Sequence, residues 1–237
     1  MSEPLVLIPG FMADGRIFAD QIGPLSTDRA VMVAPLLGDG LAEMAEAVLR
    51  NAPPTFALAG HDLGASVATE ILRRAPDRVT RLALICASAQ AATPLEAGAR
   101  EPRMVKAKAG RLGEALMEDM PIASLHESPH RAAIRDYWLE MALSKGVDAY
   151  VHQSRLAQRR PDLQSVLRRA RLPALVVGGA ADTVCPPRRQ DFMAQLMPRA
   201  DFVLLEKAGH LPMLETPQSL TRALSAWLVA KAPFLLK

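Results

Sequence analysis

The sequence predicts an α/β fold: a mostly parallel six-stranded sheet with helices on both faces and an inserted helical cap. Short, continuous apolar runs alternate with segments whose apolar residues recur at helical spacing. Strands separated by helices require crossover connections, which make the sheet parallel. From about residue 90 to 171 no strand pattern occurs, and apolar residues keep helical intervals. We therefore expect a core of residues 1–89 and 172–237 and a helical cap of residues 90–171.

The apolar runs place the six strands at about 5–8, 30–34, 56–59, 81–87, 174–178 and 201–205. Each run lacks the alternation of a half-exposed strand, as expected where helices cover both faces of the sheet. The segments between them predict core helices that include Ile22, residues 41–50, a stretch ending near Arg74, residues 187–197 and residues 217–228. Ligands of such sheets bind beyond the carboxyl ends of the strands, so the residues there are the candidates for a site.

Composition excludes several classes of function. The 237 residues are 50% hydrophobic with a net charge of +3, the basic residues are dispersed, and only 4% are aromatic, so a nucleic-acid partner is not expected. Two cysteines give no disulfide framework, and the histidines show no metal-ligand spacing, so we expect no metal and no cofactor. No signal peptide or membrane-spanning run is evident, which predicts a cytoplasmic protein without a membrane partner. A homodimer is possible, but the sequence does not determine the oligomeric state.

The most informative stretch surrounds Asp62. An apolar run from Phe56 leads into Gly60-His61-Asp62-Leu63-Gly64, and a helical pattern follows at once. This is the pattern of a nucleophile elbow, G-x-S-x-G, with Asp in the position of Ser. A strand that turns abruptly into a helix leaves no room for side chains two residues either side of the corner. The free N–H groups of the new helix favour an ionised carboxylate at that corner.

Two further polar residues follow later strands in the order expected for a nucleophile–acid–histidine triad. Asp182 comes after the fifth strand and His210 after the sixth. On these motifs the chain is identified as a member of the α/β-hydrolase superfamily, and it resembles small bacterial esterases of the enol-lactonase type over nearly its whole length. The resemblance implies an acid at Asp182, a histidine at His210, and an oxyanion hole made by the backbone N–H groups of Phe11 and Leu63. With Asp62 at the elbow, these residues form the candidate catalytic triad.

The corner residue departs from that esterase pattern, because the esterases that the chain resembles carry Ser at the elbow and this chain carries Asp62. An Asp elbow resembles epoxide hydrolases and haloalkane dehalogenases instead, although Pro9-Gly10-Phe11-Met12 differs from their His-Gly-x-Pro loop. A carboxylate that attacks an ester carbonyl would form a mixed anhydride, whereas attack on the saturated carbon of an epoxide or alkyl halide gives a stable ester that His210 and water can cleave. We therefore expect an epoxide hydrolase, or a dehalogenase, for a small and mostly neutral substrate.

The cap should supply the residues that contact substrate. Tyr137, Trp138 and Tyr150 are the candidates, because epoxide opening needs an acid and the resemblance to epoxide hydrolases implies cap tyrosines in that role. A tyrosine hydroxyl directed at Asp62 would favour epoxide opening. Two alternatives stay open: a carboxylic ester or lactone hydrolase, with Asp62 acting as a base, and a small-molecule binding protein that has lost its nucleophile.

Overall fold

A computed structural model describes residues 2–230 and contains one sheet of six parallel strands. The strands are β1 (Leu5–Ile8), β2 (Val31–Val33), β3 (Phe56–His61), β4 (Val79–Ile85), β5 (Ala174–Gly179) and β6 (Ala200–Leu205). Their order across the sheet is β2-β1-β3-β4-β5-β6, and every neighbouring pair is parallel. The predicted parallel α/β sheet is thus confirmed.

Ten α-helices connect or follow these strands in the described range. They are α1 (Ala19–Leu25), α2 (Leu41–Asn51), α3 (Leu63–Arg74), α4 (Pro94–Lys108), α5 (Leu112–Asp119), α6 (Arg131–Gln158), α7 (Gln164–Arg169), α8 (Pro187–Leu196), α9 (Pro212–Glu215) and α10 (Pro217–Val229). Helices α4 to α7 all lie between β4 and β5. Helix α6 bends at Gly146, whose φ of 80° lies outside the helical region.

Strands β1, β3 and β5 bury both of their faces, whereas the edge strands β2 and β6 are partly exposed. Leu5 and Leu7 belong to one hydrophobic cluster, whereas Val6 and Ile8 belong to a second cluster on the opposite face of the sheet. Successive side chains of a strand point to opposite faces, so one continuous apolar run serves both clusters. The first cluster continues into the helices between β4 and β5 through Trp138 and Tyr150.

Strand β4 is displaced at both ends from its predicted bounds. Strand β4 begins at Val79 and ends at Ile85, two residues earlier at each end than the apolar run of 81–87 suggests. Cys86, the next residue, has a φ of 48°, a conformation that a non-glycine residue rarely adopts and that ends an extended strand. The chain leaves the sheet there, on the same edge as Asp62.

Candidate active site

Asp62 occupies a sharp corner between β3 and α3. Its φ of 48° and ψ of −112° are strained for a residue with a side chain. A Cβ on Gly60 would lie 2.4 Å from the carbonyl oxygen of Gly64, and one on Gly64 would lie 2.4 Å from that of Pro9. Both distances are shorter than any real contact, so the two flanking positions require glycine for steric reasons.

The loop after β1 donates a hydrogen bond to the corner carboxylate. The backbone N–H of Phe11 lies 3.2 Å from Oδ2 of Asp62. The next residue, Met12, has a φ of 52° and donates its own N–H to Oε1 of the buried Gln153 on α6 at 2.8 Å. Of the two expected oxyanion donors, Phe11 therefore contacts Asp62 directly. Leu63, the first residue of α3, makes no hydrogen bond to that carboxylate among the described contacts.

His210 and Asp182 form a buried pair. Nδ1 of His210 lies 2.9 Å from Oδ2 of Asp182, and both side chains are almost inaccessible to solvent. The other oxygen of Asp182 accepts the backbone N–H groups of Val184 and Cys185, each at 2.9 Å, while Gln190 donates to Oδ2 at 3.2 Å. These four partners hold Asp182 in one orientation, and Asp182 in turn orients the imidazole ring.

Opposite charges face each other in this site. Burial opposes the charge on His210, but Asp182 outweighs it, with a further contribution from Asp62, and raises the pKa of His210 to about 9. Burial likewise opposes the charge on Asp62, yet the His210 cation and the Phe11 N–H hold the pKa of that carboxyl below its usual range. At neutral pH the site therefore contains an anionic Asp62 and a cationic His210.

His61 has a structural contact at the base of the site. Its Nε2 lies 2.9 Å from the backbone carbonyl of His210, so this nitrogen carries the proton and donates it. Burial, followed by the nearby charge of His210, lowers the pKa of His61 to about 4. His61 is thus neutral and fixes the loop that holds His210.

A cavity of about 310 Å³ opens above Asp62. Its walls come from the loops after β4 and β5 and from helices α4, α5 and α6. Charged side chains are numerous in it: Arg100, Arg103, Arg160, Arg189, Glu96, Glu118 and Asp119. Sequence patterns predicted no site role for these residues, because all but Arg160 lie on helices whose charged residues look like an ordinary solvent-exposed face.

The three aromatic residues expected to bind substrate have different positions. Trp138 is buried and lines a small compartment that also includes Asp62 and His210. Tyr150 is buried beside the Phe11 ring, with 5.8 Å between ring centroids, and its hydroxyl donates to Oδ2 of Asp119 at 2.6 Å. Tyr137 is 38% exposed and does not line the cavity above Asp62. Neither tyrosine hydroxyl is directed at Asp62, contrary to the expectation for epoxide opening.

One group of residues has donor atoms close enough to bind a metal ion. A sulfur of Cys86, a carboxylate oxygen of Asp182 and a ring nitrogen of His210 lie within 4.8 Å of one another. Burial raises the pKa of the Cys86 thiol, and the other two residues are hydrogen-bonded to each other. A protonated thiol is a poor ligand, so this chemistry favours the His–Asp pair over a metal centre.

Comparison with known proteins agrees with this architecture. The model of the alpha/beta hydrolase family matches residues 5–223, and the chain therefore belongs to that family. Two pimeloyl-[acyl-carrier protein] methyl ester esterases are similar to this chain. The protein from Nitrosomonas europaea is 26% identical, and the match covers 79% of this chain and 77% of that protein. The protein from Neisseria meningitidis is 27% identical, and the match covers 90% of this chain and 88% of that protein.

A longer relative is the dihydrolipoyllysine-residue acetyltransferase component of the acetoin cleaving system of Pseudomonas putida. It is 27% identical over 95% of this chain, and the match spans 63% of that protein's length. Among solved structures, a thermophilic esterase from Thermogutta terrifontis matches with a TM-score of 0.85 and 24% identity, covering 96% of this chain and 90% of that one. The enol-lactonase of Burkholderia xenovorans matches with a TM-score of 0.83 and 19% identity, covering 97% and 93%. These similarities support an esterase-type hydrolase better than the expected epoxide hydrolase.

No helix within residues 2–230 is both long and apolar enough to cross a membrane.

Proposed function

We propose that this protein is an esterase-type hydrolase that cleaves a small carboxylic ester or lactone. The observation that carries the proposal is that an anionic Asp62, which lines the cavity, shares a small adjoining compartment with a cationic His210. Such a pair can supply a base and an acid to the same reaction. The names of the curated relatives support this choice over an epoxide, as do the positions of the two tyrosines.

In the proposed mechanism Asp62 is the base and water is the nucleophile. Asp62 accepts a proton as the water oxygen attacks the ester carbonyl, and the N–H groups of Phe11 and Leu63 stabilise the resulting oxyanion once the carboxylate has turned towards the water. His210 then gives its proton to the departing alkoxide as the C–O bond breaks. The proton on Asp62 restores His210, so one water is consumed and one acid and one alcohol are released. Asp182 keeps the imidazole oriented throughout.

The same electrostatics limit the choice of substrate. A carboxylate whose pKa is lowered is a weak base, so it assists water attack less than a neutral imidazole would. Strained lactones and esters with good leaving groups need the least assistance. We further propose that residues 90–171 form a cap whose helices decide which of these substrates fits.

A second candidate reaction is favoured by one specific contact. Phe11 donates its N–H to Oδ2 of Asp62 in the free protein, which leaves Oδ1 available to attack. Displacement at an epoxide or alkyl halide carbon would leave an ester on Asp62, with its carbonyl oxygen already beside that N–H. Alkylation would also remove the negative charge of Asp62, lower the pKa of His210 and free it to activate water.

Oxygen labelling separates the two reactions. A single turnover with excess protein in H₂¹⁸O, over a panel of lactones, aryl esters, epoxides and alkyl halides, would be followed by mass analysis of product and protein. Water attack predicts ¹⁸O in the product acid, unlabelled Asp62, and no adduct in His210→Gln. The covalent reaction predicts ¹⁸O in Asp62 and a trapped alkyl ester in His210→Gln. Binding without turnover of any compound, with esterase activity gained by Asp62→Ser, would overturn both and indicate a binding protein.

A further inference from the structure

Arg100 lies at the point where the cavity meets Asp62. Its side chain lines the main cavity and two small compartments beside it, and Asp62 lines all three. The guanidinium stacks on the Phe11 ring, with its central carbon 5.1 Å from the ring centroid. Phe11 is also the residue whose N–H binds the Asp62 carboxylate. Arg100 is therefore adjacent both to the Asp62 carboxylate and to Phe11, the residue whose N–H binds it.

The nearest acidic residue does not satisfy this guanidinium. Nη1 of Arg100 lies 3.8 Å from Oδ1 of Asp119, beyond hydrogen-bond distance. Asp119 is already bound at both oxygens: Arg103 donates to Oδ1 at 2.6 Å and the Tyr150 hydroxyl to Oδ2 at 2.6 Å. Nη1 of Arg100 is buried and has no hydrogen-bond partner among the residues that the structure describes.

The other arginines that line the cavity form hydrogen bonds with protein groups. Arg103 is bound by Asp119. Arg189 donates to Glu96, and Arg160 donates its Nε to the backbone carbonyl of Gln90 at 2.9 Å. A guanidinium is charged at any physiological pH and presents a planar fork of donors that matches a carboxylate. A guanidinium with a buried, unbonded Nη1 beside Asp62 can therefore recognise an anion.

Resting on the proposed function, we infer that the substrate is an ester or lactone that carries a free carboxylate, and that Arg100 binds this carboxylate beside Asp62. The substrate carboxylate completes the hydrogen bonds of the guanidinium, and the cationic Arg100 and His210 offset the repulsion from Asp62. A cavity of about 310 Å³ limits the molecule to a small one, such as the half-ester of a short dicarboxylic acid. This proposal differs from the expectation of a mostly neutral substrate.

The test compares probes that differ only in charge. Calorimetry would measure binding of the monoamides of dicarboxylic acids with three to six carbons, which carry one carboxylate, and of the corresponding diamides, which carry none, to the wild type, Arg100→Gln, Arg100→Lys and the surface control Arg111→Gln. Hydrolysis of the matching methyl half-esters and ester amides would be measured in parallel. Losing a charge-assisted contact costs about ten- to hundredfold in affinity. The wild type and Arg111→Gln should show that preference for the carboxylate probes, Arg100→Gln should lose it, and Arg100→Lys should keep part of it.

Two outcomes would overturn this inference. One is equal binding of the carboxylate-bearing monoamides and the uncharged diamides by the wild type, or no binding of either, and the other is an unchanged preference in Arg100→Gln that has folded normally by its melting temperature. Failure of the proposed function looks different. In that case the wild type would bind the carboxylates with an Arg100-dependent preference but hydrolyse none of the esters.

Discussion

Replacing Asp182 by Asn tests the charge state of the site most directly. The folded protein raises the pKa of His210 from 6.5 to about 9, and Asp182 is the largest cause that acts in that direction. One pKa unit corresponds to about 1.4 kcal/mol, so protonated His210 contributes about 3 kcal/mol to the free energy of unfolding. In Asp182→Asn burial still opposes the charge, and we expect the pKa of His210 to fall to 6.5 or below. The asparagine oxygen can still accept the N–H groups of Val184 and Cys185.

The sign of the pH dependence follows from the raised pKa. Stability from the His210 cation is fully present below pH 6.5 and is lost as the pH rises through about 9. The wild type should therefore exceed Asp182→Asn by an additional amount of about 3 kcal/mol at pH 6, and this excess should vanish near pH 10.

Two measurements check the prediction for Asp182→Asn. Nitrogen chemical shifts of the His210 ring give its pKa, and urea unfolding between pH 6 and 10 gives the stability difference. The control is Asp20→Asn on the exposed face of α1, which should change neither quantity. A wild-type His210 that titrates near 6.5, or a stability difference that stays constant over this pH range, would refute the reasoning.

Further predictions concern the corner, the cap and the reaction. Gly64→Ala should prevent stable folding, because its methyl group would lie 2.4 Å from a backbone oxygen. The control Gly113→Ala on α5 has nothing within 4 Å and should stabilise the protein by about 0.5–1 kcal/mol in urea unfolding. Equal stability of the two variants would contradict the corner geometry. Tyr150→Phe leaves an oxygen of the buried Asp119 without its donor and should cost about 1–3 kcal/mol by thermal unfolding, so an unchanged melting temperature would contradict this hydrogen bond. Ester hydrolysis should decline as the pH passes about 9, where His210 loses the proton it gives to the leaving group, and a rate that keeps rising to pH 10 would exclude this acid role.

The sequence predicted the sheet and the elements that position the candidate residues because these depend on local patterns. An unbroken apolar run from Leu5 to Ile8 identifies a buried strand, and glycines at 60 and 64 identify the corner at Asp62. The carboxyl ends of parallel strands share one edge of the sheet, so Asp182 and His210 meet although they are 28 residues apart. Their catalytic roles stay predictions.

The side-chain positions within residues 90–171 could not be predicted in the same way. The helices of this segment were evident from periodicity, but the directions of their side chains depend on how the helices pack. Tyr137 and Trp138 are adjacent in sequence, yet one is exposed and the other buried, since neighbouring residues on a helix point about 100° apart. Arg100 and Asp119 approach each other only because α4 and α5 lie side by side. No spacing in the sequence reveals that contact.

An aspartate at the corner also affects the charge of the neighbouring histidine. A serine nucleophile needs a neutral imidazole to take its proton, and the pKa of that imidazole must then lie near the working pH. Here the Asp62 carboxylate contributes to raising the pKa of His210 to about 9, so the ring is cationic at neutral pH and cannot act as that base. In the proposed mechanism the corner residue is therefore the base and the histidine is the acid, whereas a serine hydrolase uses its corner residue as the nucleophile and its histidine as the first base. In the same proposal, a substrate carboxylate gives the buried Nη1 of Arg100 a hydrogen-bond partner beside Asp62.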